Sequence, residues 1–146
     1  MAQNSLVEVD LDATKRLVTS LDGSGRGIYA AYWMFSEESE TWFLHLAGVG
    51  FDFSGRKWAY EQIQRAIRHE SIETIALHRV VVTSPDDPTL QLLEVAIRVP
   101  GLSDVRFSGN VVNGQRIPDA IIVRIDRKHD STLGSPKPEG SQLRLP

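Results

Sequence analysis

Residues 28–47 read IYAAYWMFSEESETWFLHLA, two aromatic and apolar runs separated by a short acidic link. Runs rich in Tyr, Trp, Phe, Ile and Leu are typical of strands, and two strands joined by so short a link form an antiparallel hairpin. We therefore expect a hairpin with strands at 28–35 and 41–47. The glutamates between the two strands are expected to face water, where their mutual repulsion is screened.

Helical patterns lie on both sides of this hairpin. Before it, Asp10 is a good N-cap for a short amphipathic helix over residues 11–21. After it, Ser54 precedes a second amphipathic stripe over residues 56–69. Each stripe places apolar residues on one side and charged residues on the other, so both helices are expected to pack on a sheet.

A strand over residues 74–83 follows the second helix. Asp87 and Pro88 then supply an N-cap and a first-turn proline for a third helix. Pro100-Gly101 ends that helix, because proline cannot continue it and glycine favours a turn.

The last unit is a strand, a turn and a strand over residues 104–125. Asn113-Gly114 separates its two halves and matches a type I′ turn, which needs positive φ at both central residues. Pro118 removes a backbone donor, so the final strand is predicted to be an edge strand or to be locally bulged.

These elements follow the order helix, β, β, helix, β, helix, β, β, which predicts a single α+β domain over residues 1–126 with a mixed sheet of about five strands. Right-handed crossovers would make the second, third and fourth strands parallel and put the two main helices on one face. The outer hairpin strands would then be antiparallel at the edges. Residues 127–146 are rich in Lys, Pro, Gly and Ser and are predicted to be a tail without a core.

The predicted strands are apolar on both faces. The first helix, over residues 11–21, is long enough to cover only part of the face left open by the other two. A large exposed apolar patch usually marks an interface. We therefore expect the tail or a second copy of the chain to complete this face, which predicts a homodimer.

Charge and composition exclude several classes of protein. The chain of 146 residues has a net charge of −3 and no cysteine. The charge gives no argument for a dedicated nucleic-acid binder, and the lack of thiols excludes disulfides and Cys-ligated metal sites. No signal-peptide pattern begins the chain, and no apolar run approaches the roughly 20 residues that span a bilayer. A cytoplasmic location without membrane contact is expected.

Several motifs occur together and in order over residues 27–125. They are Ala30-Ala31-Tyr32-Trp33 with Trp42, Ser84-Pro85-Asp86-Asp87-Pro88, Arg106 to Gly114, and Ile117 with Asp119-Ala120 and Arg124. This pattern resembles a family of small uncharacterised bacterial proteins. The resemblance implies a bacterial, intracellular setting and supplies no activity and no catalytic residue.

Polar residues cluster where predicted strands end. Asp86 and Asp87 follow the third strand, and a loop with Asn110 lies near the end of the fourth. Asp52 and Ser54 follow the second strand. Ligands gather at this edge of α/β sheets, so the three loops are expected to converge. The candidate ligand-binding residues are Asp52, Ser54, Arg56, Ser84, Asp86, Asp87 and Asn110.

Two interpretations of the acidic residues stay open. Asp52, Asp86 and Asp87 could together hold a divalent metal, which predicts a small metal-dependent hydrolase. Alternatively, Asp87 caps its helix and Asp86 fills a Ser-Pro-Asp turn. The second interpretation accounts for every residue type present, and we favour it.

Other catalytic patterns are weaker. Asp119, Asp126 and Lys128 mimic a nuclease signature, but the two acids lie an odd number of residues apart on one strand and so face opposite sides. That hypothesis is rejected. His45 and His78 fall on predicted strands, and a histidine pair near Asp52 would be a metal or acid–base candidate if the two strands are neighbours.

The residues therefore favour a non-enzymatic binding or regulatory module that acts through protein–protein contacts, at the aromatic hairpin and the carboxyl edge of the strands. The metal-dependent hydrolase is the alternative. A weak nucleic-acid accessory protein is the third hypothesis, since basic side chains of the helix over 56–69 and of the tail could form one basic surface. The sequence assigns no catalytic residue, metal site or cofactor.

Overall fold

The computed structural model describes residues 2–24, 27–109 and 111–127, with side chains from residue 10 onward. Its helices are α1 (Ala2–Gly23), α2 (Val49–Ser54), α3 (Arg56–His69) and α4 (Pro88–Ala96). Its strands are β1 (Ile28–Ser36), β2 (Thr41–Gly48), β3 (Val80–Val82), β4 (Val105–Phe107), β5 (Val111–Val112), β6 (Gln115–Arg116) and β7 (Ala120–Ile125). Residues 128–146 of the predicted tail lie outside the described residues.

Five strands form one mixed sheet in the order β3-β2-β1-β7-β4. β2 and β3 are parallel, whereas the pairs β1–β2, β1–β7 and β4–β7 are antiparallel. The prediction of an α+β fold on a five-stranded mixed sheet is confirmed. The hairpin over residues 28–47 is confirmed as well, since Ser36 pairs with Thr41 beside its turn.

The fourth predicted strand does not lie parallel to the third, so that part of the prediction is wrong. After α4 the chain runs along β7 instead: Val99 forms a bridge with Ile125, and the Ser103 amide donates to the Val123 carbonyl at 3.0 Å. β4 continues this pairing at the edge opposite β3. All six residues of β7 are buried, and a second neighbouring strand gives the backbone groups of β7 their hydrogen-bond partners.

The two main helices lie on opposite faces of the sheet, which corrects the prediction that they share one. α3 packs with α1 against the face that carries Trp33, Leu44 and Leu46. α4 packs through Leu90 and Leu93 against the other face. This follows from the topology, because the connection from β3 to β4 passes from one sheet edge to the other and carries α4 across the second face.

The second face is therefore covered within one chain, and the apolar surface expected to remain open there is closed. Among the described residues, the large hydrophobic side chains that stay exposed are Val49, Phe53, Val95 and Val111. The reason given for a homodimer from the sequence is wrong. The homodimer itself stays a prediction and needs a different surface.

The last hairpin is partly as predicted. Asn113 and Gly114 have φ values of 52° and 77°, as a type I′ turn requires, and they join β5 to β6 in a separate two-stranded sheet. Pro118 lies in the break between β6 and β7. Of the two alternatives predicted for the final strand, the edge strand is wrong, since β7 sits between β1 and β4, whereas its pairing with β1 does shift register, between Ala31 and Tyr32.

A buried polar cluster attaches α1 to the sheet. The Asp10 side chain is completely buried, and Arg79 Nη1 lies 3.5 Å from its Oδ2 atom. The Arg79 guanidinium also lies over the Trp33 ring, 5.1 Å from its centroid. Trp33 Nε1 donates to the Thr14 hydroxyl at 2.8 Å. Burial raises the pKa of Asp10, and the Arg79 charge and the Thr74 hydroxyl oppose that rise.

We expect Arg79→Met to destabilise the fold in a pH-dependent way. At neutral pH the variant leaves a buried carboxylate without its cation, which costs about 3 kcal/mol. The folded-state pKa of Asp10 lies above its unfolded value, so neutral Asp10 is favoured in the fold at low pH and that stabilisation is lost as pH rises through the folded pKa. The cost of Arg79→Met should accordingly shrink on acidification.

Urea denaturation of the wild type and of Arg79→Met, at neutral and at acidic pH, measures the difference in their free energies of unfolding. The double variant Asp10→Asn/Arg79→Met is the control, because it removes both charges and should be less sensitive to pH than Arg79→Met. An equal cost of Arg79→Met at acidic and neutral pH would contradict the pairing with Asp10.

Candidate functional site

A cleft of about 340 Å³ lies at the carboxyl ends of β2 and β3. Because these two strands are parallel, the segments that follow them meet at the same edge of the sheet. α2 and the start of α3 form one wall, and the loop that leads into α4 forms the other. The cleft, called the edge cleft below, is lined by Phe51, Asp52, Gly55, Arg56, Val82, Thr83, Ser84, Pro85 and Asp86.

Four of the seven candidate residues line the edge cleft, namely Asp52, Arg56, Ser84 and Asp86. Ser54 is exposed at the end of α2 and is not among the lining residues. Asn110 lies outside the described residues. The convergence of two loops is as expected from the parallel strand pair.

The third loop does not reach the edge cleft. β4, which precedes it, runs antiparallel to β7 at the edge of the sheet opposite β3. Ser108 accordingly lies beside the start of β7, where its hydroxyl donates to Asp119 Oδ1 at 3.3 Å. The expectation that the loop after the fourth strand joins the site is therefore wrong, because that strand lies at the far edge.

In the loop between β3 and α4, Asp87 and Asp86 have the roles of a helix cap and a turn residue, as the favoured interpretation expected. The Asp87 carboxylate accepts a hydrogen bond from the Leu90 amide at 3.0 Å and caps α4, with Pro88 in the first turn. The Asp86 amide donates to the Ser84 hydroxyl at 3.1 Å. The Asp86 side chain itself is exposed and remains directed to the cleft rim. Asp87 is a helix cap, and Asp86 is the carboxylate of this loop that lines the cleft.

Asp52 is connected to a polar cluster that the sequence analysis did not identify. The Tyr29 hydroxyl donates to Asp52 Oδ2 at 2.9 Å, while the rest of Tyr29 is buried. The Arg127 guanidinium lies 4.4 Å from the centroid of the Tyr29 ring and forms two hydrogen bonds of 2.8 Å with Glu94. The Tyr29 hydrogen bond thus orients the Asp52 carboxylate.

The charges around Asp52 affect its protonation. Burial raises the pKa of Asp52, and the negative charge of Asp86 raises it further, whereas the Tyr29 hydrogen bond and the Arg127 charge oppose the rise. Burial and the hydrogen bond to Asp52 also raise the pKa of Tyr29. Two carboxylates that share one cleft in this way favour the approach of a positive charge.

The histidine pair considered above does not form as described. His45 stacks on the Tyr32 ring with centroids 4.9 Å apart, and its Nδ1 atom lies 3.1 Å from the Thr83 hydroxyl. Burial lowers the pKa of His45. His78 belongs to a 3-10 turn before β3 rather than to a strand. Within the described residues, no group of three or more His, Asp or Glu side chains could hold a metal ion.

α2 presents apolar side chains to solvent beside the edge cleft. Phe51 is buried and contacts Trp58 edge-on at 6.3 Å, which anchors the helix. Phe53, two residues later, points away from the core and is 93% exposed. Val49, one turn earlier on the same side, is 49% exposed. An exposed phenylalanine and valine therefore flank the acidic cleft.

No family model, curated protein or solved structure matches this chain. The resemblance over residues 27–125 thus rests on the motifs quoted for it alone. No helix in the described part of the chain is both long and apolar enough to cross a membrane.

We expect Asp87 and Asp86 to differ in their effect on stability. Asp87→Ala removes the cap of α4 and should lower the free energy of unfolding by about 1 kcal/mol. Asp86→Ala, the matched control one residue away, should change it by less than about 0.5 kcal/mol because the side chain is exposed. Chemical denaturation measures both. An equal loss in the two variants would contradict the assignment of Asp87 as the cap.

Proposed function

We propose that this chain is a cytoplasmic, non-enzymatic binding module that acts through protein–protein contacts, and that its first partner is a second copy of itself. The proposed interface, called the α2 surface, comprises Val49, Phe53, Asp52, Arg56 and Asp86. The observation that carries the proposal is the 93% exposure of Phe53 beside the edge cleft. The α2 surface replaces the open sheet face from which a homodimer was expected.

The apolar part of the α2 surface supplies the driving force. Val49 and Phe53 lie four residues apart on one helix and so share a side of it. Burying an exposed phenylalanine removes a large apolar area from water and contributes about 2 kcal/mol. Large aromatic side chains near the centre of an interface commonly carry much of the binding energy.

The charged part of the α2 surface supports a symmetric partner. A two-fold interface uses the same surface on both copies, so that surface must be complementary to itself. The α2 surface carries both signs of charge, namely the carboxylates of Asp52 and Asp86 and the guanidinium of Arg56. Arg56 of one copy would face the carboxylates of the other, and Phe53 would lie near the axis.

The aromatic hairpin contributes to this proposal only through its fold. Tyr32 and Trp33 are fully buried, so their rings are occupied within the core. Contacts were expected at the aromatic hairpin and at the carboxyl edge of the strands, and of these two the carboxyl edge remains accessible. The hairpin positions α2, because β2 ends directly where α2 begins.

The metal-dependent hydrolase receives less support from the geometry. Asp87 is engaged as the cap of α4, which leaves Asp52 and Asp86 as the carboxylates of the edge cleft. We expect Mg²⁺, Mn²⁺ and Zn²⁺ to leave the melting temperature of the protein unchanged. Thermal-shift titrations measure this, and a rise that is lost in Asp52→Asn/Asp86→Asn would favour the hydrolase instead.

Phe53→Ser tests the proposed interface. Light scattering coupled to size-exclusion chromatography, over a range of concentrations, should give the mass of two chains for the wild type. Phe53→Ser should weaken self-association by roughly tenfold or more, because an aromatic anchor is truncated. Since Phe53 lies outside the core, the circular dichroism spectrum and stability should be retained.

Val95→Ser is the matched control. Val95 is 68% exposed on α4, away from the residues that line the edge cleft, so its replacement removes apolar surface without touching the α2 surface. This variant should dimerise like the wild type. A wild-type protein that stays monomeric at every concentration would overturn the proposal, and so would equal weakening by Val95→Ser.

A further inference from the structure

A second cavity, of about 420 Å³, lies between the end of α1 and the last turns of α3. It is called the α1–α3 cavity here and is lined by Ser20, Leu21, Ser24, Gln62, Arg65, Ala66, His69 and Glu70. Arg65 lies nine residues after Arg56 on α3, about 14 Å along the helix axis from the edge cleft. The α1–α3 cavity is therefore separate from the α2 surface.

Gln62 is the first sign that this cavity takes a ligand. Its side chain is only 7% exposed, yet within the described residues no hydrogen-bond partner reaches its amide. The Gln62 amide atoms are not among the described polar atoms that are both sealed from solvent and unpaired, so the amide opens to the space of the cavity. Because Gln62 lines the α1–α3 cavity, a molecule in the cavity is the natural partner of that amide.

The charges around the cavity favour an anion. Arg65 lines it and forms no ion pair with any other described residue. Arg16 reaches the same region, where its Nη1 atom donates to the Glu70 carbonyl at 3.1 Å. The Glu70 carboxylate lies 3.2 Å from His69 Nδ1 and so has a partner already. The cavity therefore has the Arg65 guanidinium in its lining and the Arg16 guanidinium at the Glu70 backbone, against the one carboxylate of Glu70, on a chain whose net charge is −3.

We propose that the α1–α3 cavity binds a small organic anion that carries a carboxylate or phosphate group. Arg65 binds the oxyanion, because guanidinium matches the planar or tetrahedral arrangement of its oxygens. The Gln62 amide donates to the same ligand. Leu21 and Ala66, the apolar side chains of the lining, contact the carbon part. This volume lies within the range of small-molecule sites.

Nuclear magnetic resonance titration of the full-length ¹⁵N-labelled chain with inorganic phosphate, and separately with citrate, tests the proposal. Ionic strength is held constant with chloride, so that general screening does not change. At least one of the two probes should cause saturable shifts of amides in residues 62–70 and 20–24. The phosphate and citrate series together distinguish a phosphate ligand from a carboxylate ligand.

Three variants sharpen the test. Arg65→Gln should weaken binding by roughly tenfold or more, since it removes a charge-assisted hydrogen bond. Arg68→Gln removes an arginine of the same helix that does not line the cavity, and should change the affinity by less than about twofold. Gln62→Leu keeps the side chain buried and removes the amide, so it should also weaken binding.

The absence of saturable shifts with both anions would overturn the proposal. So would equal weakening by Arg68→Gln and Arg65→Gln, because that result describes a diffuse basic helix face rather than a site. Unchanged affinity in a folded Gln62→Leu protein would equally contradict it. Phe53→Ser should bind the anion like the wild type, because anion binding in this cavity does not depend on the proposed dimer.

Discussion

β1 is apolar on both sides, and this constraint governs the structure. Residues 28–33 are all buried, so the strand needs a neighbouring strand on each edge and a covering layer on each face. β2 and β7 supply the neighbours. α1 and α3 cover one face, while α4 covers the other, so that a single chain encloses the whole strand. Surfaces for binding must then lie at the ends of the sheet and between helices.

Both proposed sites lie on α3 and on what surrounds it. The amino end of α3 borders the edge cleft, where α2 exposes Phe53. The carboxyl end borders the α1–α3 cavity, which Gln62 and Arg65 line. α3 is fixed between them by Ala59 and Ile63, which are fully buried in the core. One well-packed helix thus borders both the proposed α2 interface and the proposed anion site.

Local sequence patterns correctly predicted those elements that depend on neighbouring residues alone. The hairpin over 28–47, the start of α4 at Asp87-Pro88 and the Asn113-Gly114 turn follow from short-range preferences and are present as predicted. The position of β4 was not predictable in this way. Strand order depends on which long-range pairing buries the most backbone, and β7 is apolar on both faces and so gives no directional signal.

The candidate site shows the same division. The parallel pair β2–β3 brought Asp52 and Asp86 together as expected. Tyr29 was missed because strict alternation assigns it to the face of Trp33. A register shift between Ile28 and Ala30 instead places Tyr29 with Tyr32 on the α4 face, where it reaches Asp52. Irregularities of this kind depend on pairing geometry, and a single sequence does not reveal them.

The most direct measurement of the central claim is hydrogen–deuterium exchange of the wild type at low and high protein concentration. If one chain encloses β1 and copies meet at the α2 surface, β1 amides are protected equally at both concentrations, while α2 and the loop over residues 83–87 gain protection at the higher one. Protection of β1 that appears only at high concentration would contradict the account, because the sheet face would then be closed by a second chain.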